Sequence, residues 1–162
     1  MPTKKIEDAL NEQLNKELYS GYLYLGMSAY AAATGLPGFA SWFYAQWLEE
    51  IKHTKRFMDY IVNSRSKVVM KTIEKPPQDF LSGEDLFLKT LDHEKKVTEL
   101  IHKLMELAKS ENDEKTCDFL QWFVKEQVEE VETPKGILDM IHSKTKNKDG
   151  LFEIDNELAK RK

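Results

Sequence analysis

Four glutamates, Glu17, Glu50, Glu94 and Glu130, lie near the middles of four long segments with an amphipathic helical pattern. The residues spaced alternately by three and four around each glutamate are mostly apolar, so each glutamate lies on the helix face that a bundle would bury. An ionised carboxylate in such an interior is costly unless it is paired or binds a metal. No Lys or Arg occupies the middle of any of these faces. His53 follows Glu50 by one helical turn, and the whole set therefore predicts bound cations.

The alternative interpretation is that these glutamates are solvated surface residues, as most glutamates are. It requires the assumed helical phase to be wrong in all four segments at once. A single Glu-x-x-His pair, here Glu50 and His53, is a weak signal, whereas four carboxylates on four buried faces form a strong one.

Four long helices must position these side chains. We predict the first over about residues 3–33, with Thr3 as its N-cap, and the second from a break at residues 35–38 to about residue 64. The third follows Ser82 as N-cap and reaches about residue 109. A tight turn at residues 110–113 leads into the fourth helix, which ends near residue 144; a break at 146–150 then precedes a short amphipathic piece over 151–158.

The connections predict how the helices are arranged. Two loops are short, so the helices that they join are antiparallel neighbours. The connection at residues 66–83 is about as long as a helix, and Pro76 and Pro77 forbid a helix there. The pattern predicts an all-α fold: a four-helix bundle with one long crossover between the second and third helices, plus a short C-terminal fifth helix. We expect a single domain over residues 1–162, with the bundle at about 3–144 and the last helix at about 150–160.

Composition excludes several classes of protein. With 24 Lys and Arg against 28 Asp and Glu, the net charge of −4 provides no basic footprint for nucleic acid. Cys117 is the only cysteine, which excludes a disulfide framework and a cysteine-based metal module. Residues 18–48 are uncharged, but the break at 35–38 leaves pieces too short to span a bilayer, so we expect no membrane span. No recognisable export leader opens the chain, and we expect a cytoplasmic protein.

Several motifs resemble those of non-haem ferritins of the bacterial and archaeal type, and the resemblance covers essentially the whole chain. The matching segments are residues 11–17 (NEQLNKE), 22–25 (YLYL), 46–53 (QWLEEIKH), 74–77 (EKPP), 93–94 (HE) and 119–130 (FLQWFVKEQVEE). The resemblance implies a di-iron centre that oxidises Fe²⁺ with O₂ or H₂O₂. It also implies a hollow shell of twenty-four identical subunits that stores the ferric oxyhydroxide mineral.

The resemblance also implies a role for each candidate residue of the centre. One set would hold the two irons: Glu17 and His53 on the first, Glu50 as the bridge, and Glu94 and Glu130 on the second. Gln127 would lie beside the first iron's ligands, and Tyr24 would hydrogen-bond next to the site. Because Gln127 and Glu130 stand where other di-iron bundles have a second Glu-x-x-His, the second iron would have no histidine and would bind more weakly.

Three further glutamates, Glu49, Glu126 and Glu129, would form a third iron site together with Glu130 in relatives. The alternative is that they are ordinary solvated glutamates. Trp122 is either an electron donor near the iron or a packing aromatic. His93, His102 and His142 have no matching role, and we interpret them as surface or interhelix residues.

Some positions depart from related patterns. Ile51 stands where haem-binding relatives have a methionine ligand, so we expect no haem. Cys117 and Leu120 align with the carboxylates that line the three-fold channel of animal ferritins, which leaves the path of iron into the shell open. Pro134 lies inside the fourth predicted helix, where we expect a kink.

Two other functions remain as alternatives. A rubrerythrin-like peroxidase would need more carboxylate ligands and usually a cysteine-rich iron domain, and this chain has one cysteine. A DNA-protecting mini-ferritin, or a purely structural helical scaffold, would not need the full set of acids within one bundle.

Overall fold

The computed structural model describes residues 1–144, 146 and 149–162, and within them the chain is all-α. The five helices are α1 (Lys4–Ala33), α2 (Pro37–Asn63), α3 (Gly83–Ser110), α4 (Glu114–Lys144) and α5 (Gly150–Leu158). The predicted fold class is confirmed. The predicted break at 146–150 includes residues 147 and 148, which lie outside the described residues.

Local hydrogen bonds explain where the long helices begin. The Thr3 side chain accepts a hydrogen bond from the Ile6 amide at 3.4 Å, and Ser82 accepts one from the Asp85 amide at 3.1 Å. Both predicted N-caps are therefore confirmed. Gly35, in the turn before α2, has φ of +78°, a conformation that suits glycine and reverses the chain within a few residues.

The long crossover makes α2 and α3 parallel. Roughly 19 residues between them, at ~3.3 Å each, reach ~60 Å. That is farther than the 27 residues of α2, which are ~40 Å long at ~1.5 Å per residue. The rings of Phe39 and Phe87, near the starts of the two helices, lie 5.7 Å apart between centroids. The chain therefore returns along the bundle before α3 begins.

Two buried asparagines of α1 hold the crossover in place. The Asn11 side chain donates to the Lys67 carbonyl at 2.9 Å and accepts from the Val69 amide at 2.7 Å. Asn15 repeats this pairing one turn later, with the Val69 carbonyl and the Lys71 amide, both at 2.9 Å. These bonds satisfy backbone groups of an extended segment that has no strand partner in the described structure.

The apolar core is divided into two clusters. One is built around Tyr24, Phe43 and Phe87 and includes residues of α5; the other is built around Leu10, Phe57 and others of the opposite half. Glu17, Glu50 and Glu94 are only 1–2% exposed and belong to neither cluster. The carboxylates form a polar layer between the two apolar halves, as the helical phase predicts.

The short helix α5 packs against α2 and α4. The Asp155 carboxylate accepts a hydrogen bond from the Phe39 amide at 3.0 Å and so serves as a cap for α2, whose own N-cap residue Leu36 makes no side-chain bond. Gly38 is required there, because a Cβ atom at this position would lie 1.8 Å from the Asp155 carbonyl oxygen.

Helix α4 contains three of the positions that depart from related patterns. Leu120 is completely buried in the core of the single chain, so its side chain does not line a channel between subunits. Cys117 is partly buried and packs against the same core cluster. The helix continues through Pro134, which is buried.

Across the described residues, none of the helices combines the length and the apolar character that a membrane span requires.

Candidate metal centre

The structure brings Glu17, Glu50 and His53 together inside the bundle. One potential ligand atom from each lies within 4.8 Å of the others. The His53 Nδ1 atom is 3.1 Å from Glu50 Oε2 and 3.7 Å from Glu17 Oε2. Glu50 and His53 meet because they are one turn apart on α2, and Glu17 faces them from the antiparallel α1. Two carboxylates and an imidazole are ligands suited to a divalent transition metal.

A second group shares one residue with the first. Glu50, Glu94 and Glu130, from three different helices, also offer ligand atoms within 4.8 Å of one another. Glu50 therefore belongs to both groups and could contact a metal ion in each of them. Like the first group, this one is enclosed within the bundle.

Neutral side chains orient the carboxylates. The Tyr24 hydroxyl donates a short hydrogen bond to Glu94 Oε1, next to the site as predicted. The Gln127 amide donates to Glu94 Oε2 at 3.2 Å and to Thr98 at 3.1 Å. Gln127 thus lies against a carboxylate of the second group, which differs from our expectation that it would accompany the first.

Two orienting residues were given no role by the sequence. Gln13 donates to Glu17 Oε1 at 2.8 Å, and Gln46 donates to Glu130 Oε2 at 2.7 Å. Both glutamines are buried. Gln13 lies four residues before Glu17 on the same helix, and Gln46 contacts Glu130 from a different helix. A buried glutamine at helical spacing from a predicted ligand is the signal that could have identified them.

His53 and Glu17 form the charged part of the metal-free centre. Burial opposes the charge on His53, but hydrogen bonds to Glu17 and Glu50 outweigh it and raise the pKa of the imidazole to about 11. Burial likewise opposes ionisation of Glu17, yet the hydrogen bond from His53 holds the pKa of this carboxyl below its ordinary value. The pair is therefore an imidazolium and a carboxylate at neutral pH.

The remaining carboxyls of the centre ionise less readily than ordinary carboxyls. Burial, together with repulsion from Glu94 and Glu17, raises the pKa of Glu50 well above its ordinary value. Burial and the nearby Glu130 raise the pKa of Glu94 to about 8. Burial also raises the pKa of Glu130. Since metal ligands must be deprotonated, metal binding here releases protons.

A third acidic cluster lies beside the centre. Glu126 and Glu130 offer ligand atoms within 4.8 Å of those of His53. A cavity of about 160 Å³ is lined by residues that include Glu49, Glu126, Glu129 and Glu130. The structure thus brings together the residues predicted for a third site, although Glu129 is exposed and the Glu49 side chain is 36% exposed.

The other singled-out residues have mainly packing contacts. The Trp122 ring lies 5.4 Å from that of His53 between centroids and carries the Arg56 guanidinium on its face. His93 lies between α1 and α3, with Nε2 2.7 Å from the Ser20 hydroxyl, and burial lowers its pKa to about 4. His102 is exposed, and the exposed His142 lies 2.6 Å from Glu84. These positions agree with the surface and interhelix interpretation.

Carboxylates from four helices and one imidazole form two groups that share Glu50. This arrangement is typical of one class of protein, the four-helix bundles with an internal carboxylate metal centre. The model of the Ferritin-like domain family matches residues 7–143. The chain belongs to this family.

Similar proteins agree with that assignment along the whole chain. The bacterial non-heme ferritin of Bacteroides fragilis is 37% identical over 161 residues, which are 99% of this chain and 100% of that protein. The bacterial non-heme ferritin of Campylobacter jejuni is 37% identical over 155 residues, 96% of this chain and 93% of that one. A crystal structure of an open pore ferritin from the archaeon Archaeoglobus fulgidus matches with a TM-score of 0.98 at 38% identity, over 100% of both chains.

Proposed function

We propose that this protein is an iron-storage ferritin that oxidises Fe²⁺ at the internal centre and stores Fe³⁺ as a ferric oxyhydroxide mineral. The observation that carries the proposal is the sharing of Glu50 between two adjacent ligand groups. A shared carboxylate holds two metal ions close enough for one oxidant to take an electron from each. The names of the similar proteins, non-heme ferritins, support iron as the metal.

Each residue has a proposed task. Glu17 and His53 bind the first Fe²⁺, Glu94 and Glu130 bind the second, and Glu50 binds both. Tyr24, Gln127, Gln13 and Gln46 hold the carboxylates in orientation through their hydrogen bonds. Two Fe²⁺ ions supply two electrons, which with two protons reduce O₂ to H₂O₂, or H₂O₂ to water. The protons released from His53, Glu50 and Glu94 on metal binding are available for this reduction.

The two proposed iron sites have different ligands. This difference favours the release of iron to storage rather than its retention as a permanent cofactor. The first group includes an imidazole, whereas the second has carboxylates only. Iron in the second site is therefore bound more weakly and leaves first. The acidic cavity with Glu49, Glu126 and Glu129 adjoins Glu130 and would receive it.

We further propose that twenty-four copies form the hollow shell and that it resides in the cytoplasm. The placement of all candidate ligands within one chain disfavours a mini-ferritin, whose metal site lies between subunits. The single cysteine disfavours a rubrerythrin-like peroxidase with a cysteine-rich iron domain.

Iron loading of the purified protein tests the function. The apo protein is given Fe²⁺ in air, the ferric product is followed by absorbance, and the product is examined by size-exclusion chromatography and electron microscopy. We expect oxidation faster than in buffer alone and an electron-dense core inside particles of about twenty-four subunits. Oxidation at the buffer rate, or iron that precipitates outside the protein, would contradict the proposal.

A further inference from the structure

A single arginine lies in the acidic cavity beside the metal centre. Arg161 is the one basic side chain among the described residues that line this cavity, where it joins Glu49, Glu126, Glu129 and Glu130. Lys52 contacts Glu49 at 2.9 Å, but the Lys52 side chain is 69% exposed and lies outside the lining. Among the described residues, Arg161 therefore places a positive charge in the lining of the cavity, where no lysine side chain lies.

The fold holds Arg161 at this position. It follows α5, which is fixed to the start of α2 by the bond between Asp155 and the Phe39 amide. The guanidinium lies over the Trp42 ring, 4.3 Å from its centroid, and one of its nitrogens donates to the Trp42 carbonyl at 3.3 Å. Stacking and a hydrogen bond to backbone orient a side chain that would otherwise be free to move into solvent.

A buried histidine beside the cavity is a second feature that points to a cation. His53 is 2% exposed, and its Nε2 atom has no hydrogen-bond partner among the described residues although it lies 3.9 Å from Glu126 Oε1. Ligand atoms of His53, Glu126 and Glu130 lie within 4.8 Å of one another, a set suited to a divalent metal once the imidazole has lost its proton. In the metal-free protein, Arg161 adds its positive charge to that of the imidazolium beside these carboxylates.

We propose that Arg161 is an internal competitor for metal at the third site, which keeps the affinity of this site for divalent cations low. The inference rests on the proposed function, because it concerns iron that has left the oxidation centre. A low affinity is useful at such a position, since iron that binds weakly passes on toward the mineral. Arg161 binds no metal itself; it acts through its charge, which interacts with Glu130 and Glu49 of the same cavity lining.

Equilibrium titration of the assembled apo protein with Zn²⁺ tests the proposal. The variants are Arg161→Gln, which removes the charge, and Arg161→Lys, which retains it. Lys160→Gln is the matched control, because Lys160 pairs with Glu157 at 2.9 Å and does not line the cavity. Calorimetry resolves the ions bound at the central pair from the weaker third ion, and size-exclusion chromatography verifies that the assembly is retained.

We expect Arg161→Gln to bind the third Zn²⁺ about tenfold more tightly than the wild type does. A change of this size is expected when one positive charge is removed from a partly screened site. Arg161→Lys should restore most of the wild-type affinity, and Lys160→Gln should equal the wild type. The inference would be overturned if the wild type and Arg161→Gln bound the third Zn²⁺ with equal affinity, or if Arg161→Lys gained as much affinity as Arg161→Gln. It would also be overturned if none of the proteins bound a third Zn²⁺. A wild-type protein that did not bind the two central Zn²⁺ ions would instead contradict the proposed function. Failure of the inference and failure of the proposed function are therefore distinguishable.

Discussion

The Nε2 atom of His53 lies 3.9 Å from Oε1 of Glu126, while Nδ1 of the same ring lies 3.1 Å from Glu50. One imidazole thus separates the central pair of ligand groups from the neighbouring acidic cavity. A metal bound through Nδ1 leaves the other ring nitrogen protonated, and this N–H faces the Glu126 carboxylate. Occupancy of the first site and the charge of the third cluster are therefore linked through His53.

Replacement of Glu50 by Ala should abolish rapid Fe²⁺ oxidation and leave the shell assembled. Glu50 is the carboxylate common to both ligand groups, so its loss removes a ligand from each. It is 2% exposed within a single chain and cannot contribute to a contact between subunits. Stopped-flow absorbance measures the oxidation rate, and size-exclusion chromatography measures the assembly.

The matched control for Glu50→Ala is Glu99→Ala, which removes an exposed glutamate of α3. It should oxidise iron at the wild-type rate. Wild-type oxidation by Glu50→Ala would show that the shared carboxylate is not needed.

A triple change of Glu49, Glu126 and Glu129 to Gln should retain the first oxidation burst but alter its stoichiometry and slow later turnover. These residues line the neighbouring cavity, whereas the central pair keeps all its ligands. The measurement is the number of Fe²⁺ ions oxidised per subunit in successive additions of iron. An unchanged number in the triple variant would indicate that the three glutamates are solvated surface residues.

Zn²⁺ should inhibit oxidation by occupying the central pair. Sites with nitrogen and oxygen ligands generally bind Zn²⁺ more tightly than Fe²⁺, and Zn²⁺ cannot be oxidised. The initial rate of Fe²⁺ oxidation is measured after preincubation with increasing Zn²⁺. If saturating Zn²⁺ left this rate unchanged, oxidation would have to occur elsewhere in the protein.

Replacement of Glu94 by Gln should stabilise the metal-free protein in a pH-dependent manner. The pKa of Glu94 is raised from 4.5 to about 8, chiefly by burial, so between these values the folded chain binds more protons than the unfolded chain. The stability that this group contributes is present at low pH and is lost as the pH rises to about 8. The gain from Glu94→Gln should therefore be about 1–2 kcal/mol at pH 8 and should vanish near pH 5.

The rate of thermal unfolding at matched protein concentration is the appropriate measure, because large assemblies unfold irreversibly. Glu99→Gln is the control and should change stability by less than about 0.5 kcal/mol. The same Glu94→Gln variant should gain less stability than the wild type from added metal. A variant that is less stable than the wild type at pH 8 would mean that the Glu94 charge is already balanced in the metal-free bundle.

The sequence predicts the helices and the polar layer well because both depend on periodicity. Glu17, Glu50 and Glu94 are buried because they occupy the same helical phase as residues such as Leu14 and Phe43. Short loops and one long crossover then leave few arrangements of four helices. The convergence of the carboxylates follows from these two local properties, without any long-range information.

Contacts that depend on the path of α5 could not be predicted in this way. Arg161 reaches the acidic cavity from 31 residues beyond Glu130, and it does so only because Asp155 fixes α5 to the start of α2. The position of Gln127 was also missed. Its place in the helical phase shows that it is buried, but the choice between Glu17 and Glu94 as its partner depends on side-chain packing across helices.

Anomalous diffraction from crystals soaked anaerobically with Fe²⁺ would locate the iron ions directly. We expect two iron positions inside each bundle, one contacted by Glu17, Glu50 and His53 and the other by Glu50, Glu94 and Glu130. Glu50 must contact both. A single internal position, or iron found only at sites that Glu50 does not touch, would contradict the proposed role of Glu50.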